Sequence, residues 1–183
     1  VYLGVLHLVQ AVAILLLAKS IAWPITTTYL TKDTIASEIA GKPILASATH
    51  TLFNVNPAFL VAIFFAMSAV AHGIIATKYR KTYESNLKKG INKARWIEYG
   101  LSASVMMVAI AMLTGIYDLS SLIMIFILDL LMNSTGLLME LKNQGAKKID
   151  WLPYWLGCVA GIVPWMVFVI YVVGANVYGT GGI

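Results

Sequence analysis

The sequence predicts an all-α membrane protein, one bundle of five transmembrane helices with a small external β-hairpin between the first two. Three observations carry this. The 183 residues are 60% hydrophobic and only 11% charged, with a mean hydropathy of +0.82, well beyond a soluble domain of this length. The apolar residues fall into five stretches of about 20, the length needed to cross a bilayer. The charges collect in the connections between them. The one cysteine, Cys158, lies in an apolar run, so no disulfide forms within the chain.

In order, span A runs from about Leu3 to Trp23, B from Pro57 to Thr77, C from Trp96 to Tyr117, D from Leu119 to Leu141 and E from Trp151 to Val173, a single domain over residues 1–183. Span A is too long for a cleaved signal peptide, and no small-residue cleavage site follows it. No initiating Met precedes it, and the chain stops at Gly-Thr-Gly-Gly-Ile, where a turn into something further is expected. The five spans are therefore expected to be a piece of a larger bundle. Between A and B, residues Thr26 to Leu30 and Ile44 to Phe53 are rich in β-formers around a polar stretch, which predicts the hairpin. In span E, Pro164 removes one backbone hydrogen bond and crowds the carbonyl of Ala160, so a kink is expected there. Gly157 and Gly161 form a GxxxG step suited to close approach of another helix.

Loop charge sets the orientation. The A–B loop holds Lys32 and Lys42 against Asp33 and Glu38. The B–C loop holds Lys78, Arg80, Lys81, Lys88, Lys89, Lys93 and Arg95 against Glu84, and D–E adds Lys142, Lys147 and Lys148. Lys and Arg thus favour the B–C and D–E side by ten to two, which the positive-inside rule makes cytoplasmic, with the N-terminus inside. Bilayer orientation accounts for the net charge of +5 without nucleic acid.

That orientation places the polar residues of three spans at one level. At about 1.5 Å per residue, His7 and Gln10 lie roughly 9–14 Å into A, and Ser68 and His72 roughly 8–14 Å into B. Glu98 lies roughly 3–5 Å into C, with Ser102 a turn further. If these helices face one another, two imidazoles, an amide, a carboxylate and hydroxyls form a cavity able to pass protons. A charge at such a place is costly unless paired or used. The bland alternative for Glu98 is an i,i+3 ion pair with Arg95, and for each histidine it is hydrogen-bonded packing.

Span D carries a second acid. Asp129, Asn133, Gly136 and Glu140 follow i, i+4, i+7, i+11 and share one helical face. Asp129 lies near the bilayer centre, where function or a buried hydrogen bond is expected rather than lipid exposure. Glu140, beside Lys142, reads as a boundary residue, and the Asn133-Ser134-Thr135 sequon lies inside a span. There is no Gly-rich phosphate loop, HExxH, paired CxxC or nucleophile elbow, so nothing points to an enzyme.

The blocks Gly4-Val5-Leu6-His7-Leu8-Val9-Gln10, Ser68-Ala69-Val70-Ala71-His72, Asn86 to Tyr99, Met139 to Gln144 and Gly161-Ile162-Val163-Pro164-Trp165 resemble those of heliorhodopsins. Within the third, Asn92-Lys93-Ala94-Arg95-Trp96-Ile97-Glu98-Tyr99 is the most specific. The resemblance spans essentially the whole chain and implies a rhodopsin-like bundle of seven helices, a retinal photoreceptor with a cytoplasmic N-terminus in the cell membrane. It implies Glu98 as counterion to the protonated retinal Schiff base. It implies His7, Gln10, Ser68, His72, Tyr83 and Asn92 as the cytoplasmic-side proton-accepting network. Tyr99, Ser102, Met106, Asp129 and Trp165 would line or adjoin the pocket for all-trans retinal. It further implies a homodimer through D, E and the A–B hairpin, and slow light signalling to a cytoplasmic partner rather than pumping.

Two departures accompany the resemblance. The retinal-bearing lysine of the family lies on the seventh helix, beyond the five spans seen here, and Lys19, near the outer end of A, is no substitute. Asp129 stands where relatives are expected to carry an amide. Rival readings are a membrane redox or metal protein using His7 and His72 as ligands, and a proton-coupled transporter relaying through Asp129 and Glu98. A purely structural assembly domain comes last.

Overall fold

The computed structural model describes residues 2–179, so Val1 and most of the terminal Gly-Thr-Gly-Gly-Ile run lie outside the described residues. Span A is helix α1 (Tyr2–Leu17), followed by strand β1 (Trp23–Lys32), a short helix α2 (Thr34–Ala40) and strand β2 (Leu45–Val55). Spans B to E are α3 (Pro57–Ala76), α5 (Lys93–Leu113), α6 (Leu119–Lys142) and α7 (Leu152–Tyr178), with α4 (Arg80–Lys88) between α3 and α5. The bundle is a row in which α1 packs on α3, α3 on α5, α5 on α6 and α6 on α7. Of the described helices, α3, α5, α6 and α7 are long and apolar enough to cross a membrane.

The first helix is shorter than its apolar run suggests. It ends at Leu17 after 16 residues, and residues 18–22 leave it as a linker. The reason lies in β1. Trp23 precedes Pro24, which disfavours helical backbone at the residue before it, and Trp23 pairs with Val55 across the hairpin. The Lys19 carbonyl accepts from Ile21 N–H at 2.8 Å and from the Asn56 side-chain amide at 2.9 Å. Lys19 is therefore an exposed loop residue outside the span.

Span C begins earlier than expected, at Lys93, because the Asn92 side chain caps it by accepting from Arg95 N–H at 3.1 Å. It ends at Leu113, where Gly115 takes φ +94° and Ile116 N–H returns to the Ala111 carbonyl at 3.0 Å. Span D matches its expected limits and span E extends a few residues beyond them. Helix α7 continues through the buried Pro164. Two short helices have no apolar run to announce them. Asp33 caps α2 by accepting from Ala36 N–H at 2.9 Å, and α4 is a nine-residue, strongly basic segment.

The hairpin is antiparallel, with Thr27 opposite His50 and a bulge between Ile25 and Thr26. It is fastened to the bundle. Thr26 N–H donates to the Tyr117 carbonyl at 2.9 Å, and Ile25 enters a core with Met107, Ala111, Met112, Ile116, Leu122, Ile125 and Phe168. Apolar packing therefore concentrates at the hairpin end, while α4 and the α6–α7 connection mark the basic end.

Small residues on α6 and α7 let helices approach. A Cβ on Gly136 would lie 2.3 Å from the Trp96 ring of α5. One on Gly157 would lie 2.5 Å from Thr135 Oγ1, and one on Gly161 2.4 Å from Met132 Sδ. The GxxxG step is thus occupied by α6 of the same chain. Gly136→Ala should cost about 1–3 kcal/mol by overpacking. Gly73→Ala, which meets nothing within 4 Å, should be neutral or stabilising. Thermal unfolding of the two variants in detergent checks the contrast, and equal melting would refute the close α5–α6 contact.

Asp118 caps α6, accepting from Ser121 N–H at 3.1 Å and from the Ser120 hydroxyl. The Ser120 hydroxyl first, and then Ser121 N–H, hold its carboxyl below the usual carboxylate range. A folded value below the unfolded one means that the contribution is complete above about pH 4 and fades as pH falls through the depressed value. Asp118→Ala should lose about 1 kcal/mol at pH 7 and show a weaker loss of stability on acidification than the parent protein, read by unfolding at both pH values.

Candidate functional site

The basic half of the bundle holds a polar cluster built from α1, α3 and α5. On α5, Glu98 is half-buried and accepts from Ser68 Oγ of α3 at 2.6 Å and from Ser102 Oγ, one turn along its own helix, at 3.4 Å. Ser68 and Ser102 are both buried. No cation pairs with Glu98 among the described residues. The expected alternative of an Arg95–Glu98 pair does not form. Arg95 Nη2 instead reaches Glu140 Oε1 of α6 at 2.6 Å, and the Arg95 guanidinium lies 4.5 Å from the centre of the Trp96 ring.

One turn from Ser68, His72 stacks on His7 of α1, with ring centres 5.6 Å apart and planes within 16°. Phe65 covers His7 at 5.7 Å. Gln10 Oε1 lies 3.0 Å from His7 Nδ1, and in this amide orientation Nδ1 donates and Nε2 is left to accept. Close approach of the two helices depends on Gly4, where a Cβ would stand 3.2 Å from His72 Cβ. Helix α3 therefore carries both halves of the cluster, Ser68 toward Glu98 and His72 toward His7.

Other expected members fall elsewhere. Asn92 is the cap of α5, and its N–H donates to Glu140 Oε2 at 2.7 Å. Tyr83 sits on α4. Asp129 is buried between α5 and α6, 3.1 Å from Ser104 Oγ and 3.2 Å from Asn133 Nδ2. Met106 is half-buried, while Tyr99 and Trp165 are 49% and 54% exposed. Of the residues expected around the chromophore, Ser102 is the one hydrogen-bonded to Glu98 among the described residues.

The shared face of α6 does form as its spacing predicts. Asp129 and Asn133 meet Ser104, Gly136 meets Trp96, and Glu140 meets Arg95 and Asn92, all on α5 or its cap. Glu140 is thus an interhelical clamp rather than a boundary residue, while Lys142 pairs with Asp150 at 2.5 Å. Sequence reasoning missed Ser104 and Phe65. Ser104 was findable as a second hydroxyl two residues after Ser102 on an apolar helix.

Two of the cavities bordering α5 lie at the end that holds this cluster. A groove of ≈ 600 Å³ between α3 and α5 has Glu98 on its wall. A second, of ≈ 490 Å³, lies among α5, α6 and α7 and is walled by Trp96, Met132, Met139, Trp151 and Tyr154, with Trp96 Nε1 buried and without a partner among the described residues. Its aromatic and thioether walls suit a long apolar ligand. Every lysine is exposed, so none stands buried beside Glu98.

Removing the short bond should matter more than removing the long one. Ser68→Ala should destabilise by about 1.5–3 kcal/mol, as expected for a hydrogen bond to a charged group, and Ser102→Ala by distinctly less. Thermal unfolding of the two variants measures the difference, and an equal or reversed order would refute Ser68 as the principal partner of Glu98.

A family model described as Heliorhodopsin matches residues 1–181. Comparison with curated proteins returns no match.

Proposed function

Because this chain belongs to the heliorhodopsin family of retinal-binding, rhodopsin-type photoreceptors, we propose that it senses light with Glu98 as counterion to all-trans retinal and signals rather than pumps or catalyses. The observation that carries this is the state of Glu98. It is a half-buried carboxylate on an apolar helix, held by two hydroxyls and paired with no cation among the described residues. Such a group is costly unless a positive charge is brought to it. Retinal, when bound, supplies a light-sensitive cationic chromophore.

The chain's own residues then have distinct tasks. Ser68 and Ser102 fix the carboxylate, so its charge is presented in one place without reorganisation. At about 4 Å and an effective dielectric near 20, opposite charges attract by about 4 kcal/mol, equivalent to about 3 pKa units of the cation. Across α3, His7 and His72 offer imidazole nitrogens to a proton leaving that region, with Gln10 setting the His7 tautomer. Attachment belongs to the lysine of the seventh helix that the resemblance implies. Asn92 and Tyr83 support the same end of the bundle.

Charge supports a cytoplasmic N-terminus in the cell membrane. The basic end carries ten Lys and Arg, and with Lys19 placed outside α1 the hairpin end carries three. The reading extends to a homodimer through α6, α7 and the hairpin and to a signalling partner at the basic end. A redox or metal site at His7 and His72 is disfavoured. Stacked imidazoles hold their in-plane lone pairs parallel instead of converging them on one ion.

Glu98→Gln in the full-length, retinal-loaded protein should shift the absorption maximum to longer wavelength and lower the chromophore's pKa by about 2–3 units. A spectrophotometric pH titration reads both, and no change in either would reject Glu98 as the counterion.

A further inference from the structure

The ≈ 600 Å³ groove between α3 and α5 does not face the imidazole cluster. On α3 its wall is Met67, Val70 and Ile74, spaced i, i+3, i+7, while Ser68 and His72 turn toward α5 and α1. Val70, Ile74, Ile97 and Leu101 are exposed, so the groove opens outward from membrane-spanning helices. Glu98 contributes to the inner wall, with its carboxylate committed to Ser68 and Ser102. In a bilayer, an apolar notch of this size is filled by hydrocarbon, because an empty one forfeits the dispersion contacts of its walls.

The end of the groove is different. Tyr79 closes it at the start of α4, its hydroxyl anchored by Asn86 Nδ2 at 3.3 Å. Lys78 precedes Tyr79 and Lys81 lies in the first turn of α4, both exposed and with no carboxylate partner among the described residues, while Arg80 between them shares its charge with Glu84 at 2.8 Å. No side chain caps the first turn of α4, so its N–H groups and positive dipole end add to the lysines. An apolar slot that ends in unpaired positive charge matches one amphiphile, an acyl chain joined to an anionic headgroup.

We propose that this groove binds an anionic phospholipid, with an acyl chain along Met67, Val70, Ile97 and Leu101 and the phosphate at Lys78, Lys81 and the first turn of α4. The site uses neither the chromophore nor the histidines, so it stands or falls separately from the photoreceptor reading. Charge complementarity makes the headgroup the source of selectivity and the groove the source of retention.

Native mass spectrometry of the full-length protein in the dark, released from micelles containing phosphatidylglycerol or phosphatidylcholine with identical acyl chains, tests this. Phosphatidylglycerol adducts are expected to exceed phosphatidylcholine adducts by roughly tenfold. Lys78→Gln with Lys81→Gln, on exposed side chains remote from the core, should bring the two lipids level. Val70→Trp, which fills the groove, should remove both. Equal retention of the two lipids by the parent protein, or selectivity untouched by the lysine changes, would overturn the proposal. So would a Val70→Trp variant that loses a dimer while keeping its lipid, since that would assign the groove to a second copy of the chain.

Discussion

A carboxylate carried into an apolar bundle must be met by donors from neighbouring helices, and the arrangement of α3, α5 and α6 depends on that constraint. Where water is excluded, each unsatisfied polar atom costs kilocalories rather than tenths. Glu98, Asp129 and Glu140 each solve the problem across a helix interface. Glu98 takes Ser68, Asp129 takes Ser104, and Glu140 takes Arg95 and the Asn92 N–H. These contacts fix the rotation of α5 about its own axis, because Ser104 and Trp96 must face α6 while Glu98 faces α3. Apolar packing alone would set this weakly in a medium as apolar as the side chains.

The two ends of the bundle consequently differ in kind. At the hairpin end a continuous apolar core is sealed by Ile25, and the strand is tied to the α5–α6 turn through Tyr117. At the basic end the helices are joined by hydrogen bonds and, among the described residues, one interhelical ion pair, with the stacked imidazoles between α1 and α3.

Much of this was legible in the amino-acid order. Four of the five spans were within a few residues of their helices, the hairpin lay where its β-formers cluster, and Asp129, Asn133, Gly136 and Glu140 do share a face. Span A was overextended because Ala18 to Trp23 is apolar enough to continue a helix. Pairing of Trp23 with Val55, a contact 32 residues away, claims that backbone instead. Helices α2 and α4 were invisible for the opposite reason. They are seven and nine residues long, and so few turns carry no sustained apolar period. Of the residues expected near a chromophore, Tyr99 and Trp165 are half exposed, and Asp129 is buried between α5 and α6 against Ser104.

The sequence by itself determined which segments are apolar, which residues share a helical face, and the level at which His7, Gln10, Ser68, His72 and Glu98 lie, because periodicity and rise are local properties of a helix. Only the tertiary structure decided the partners. Arg95 had Glu98 within reach at i,i+3 and chose Glu140 on another helix. Gly157 and Gly161 offered a surface for any helix and took α6. Such choices turn on interhelical rotation and distance, where a few tenths of an ångström separate a hydrogen bond from a gap. No local pattern encodes that.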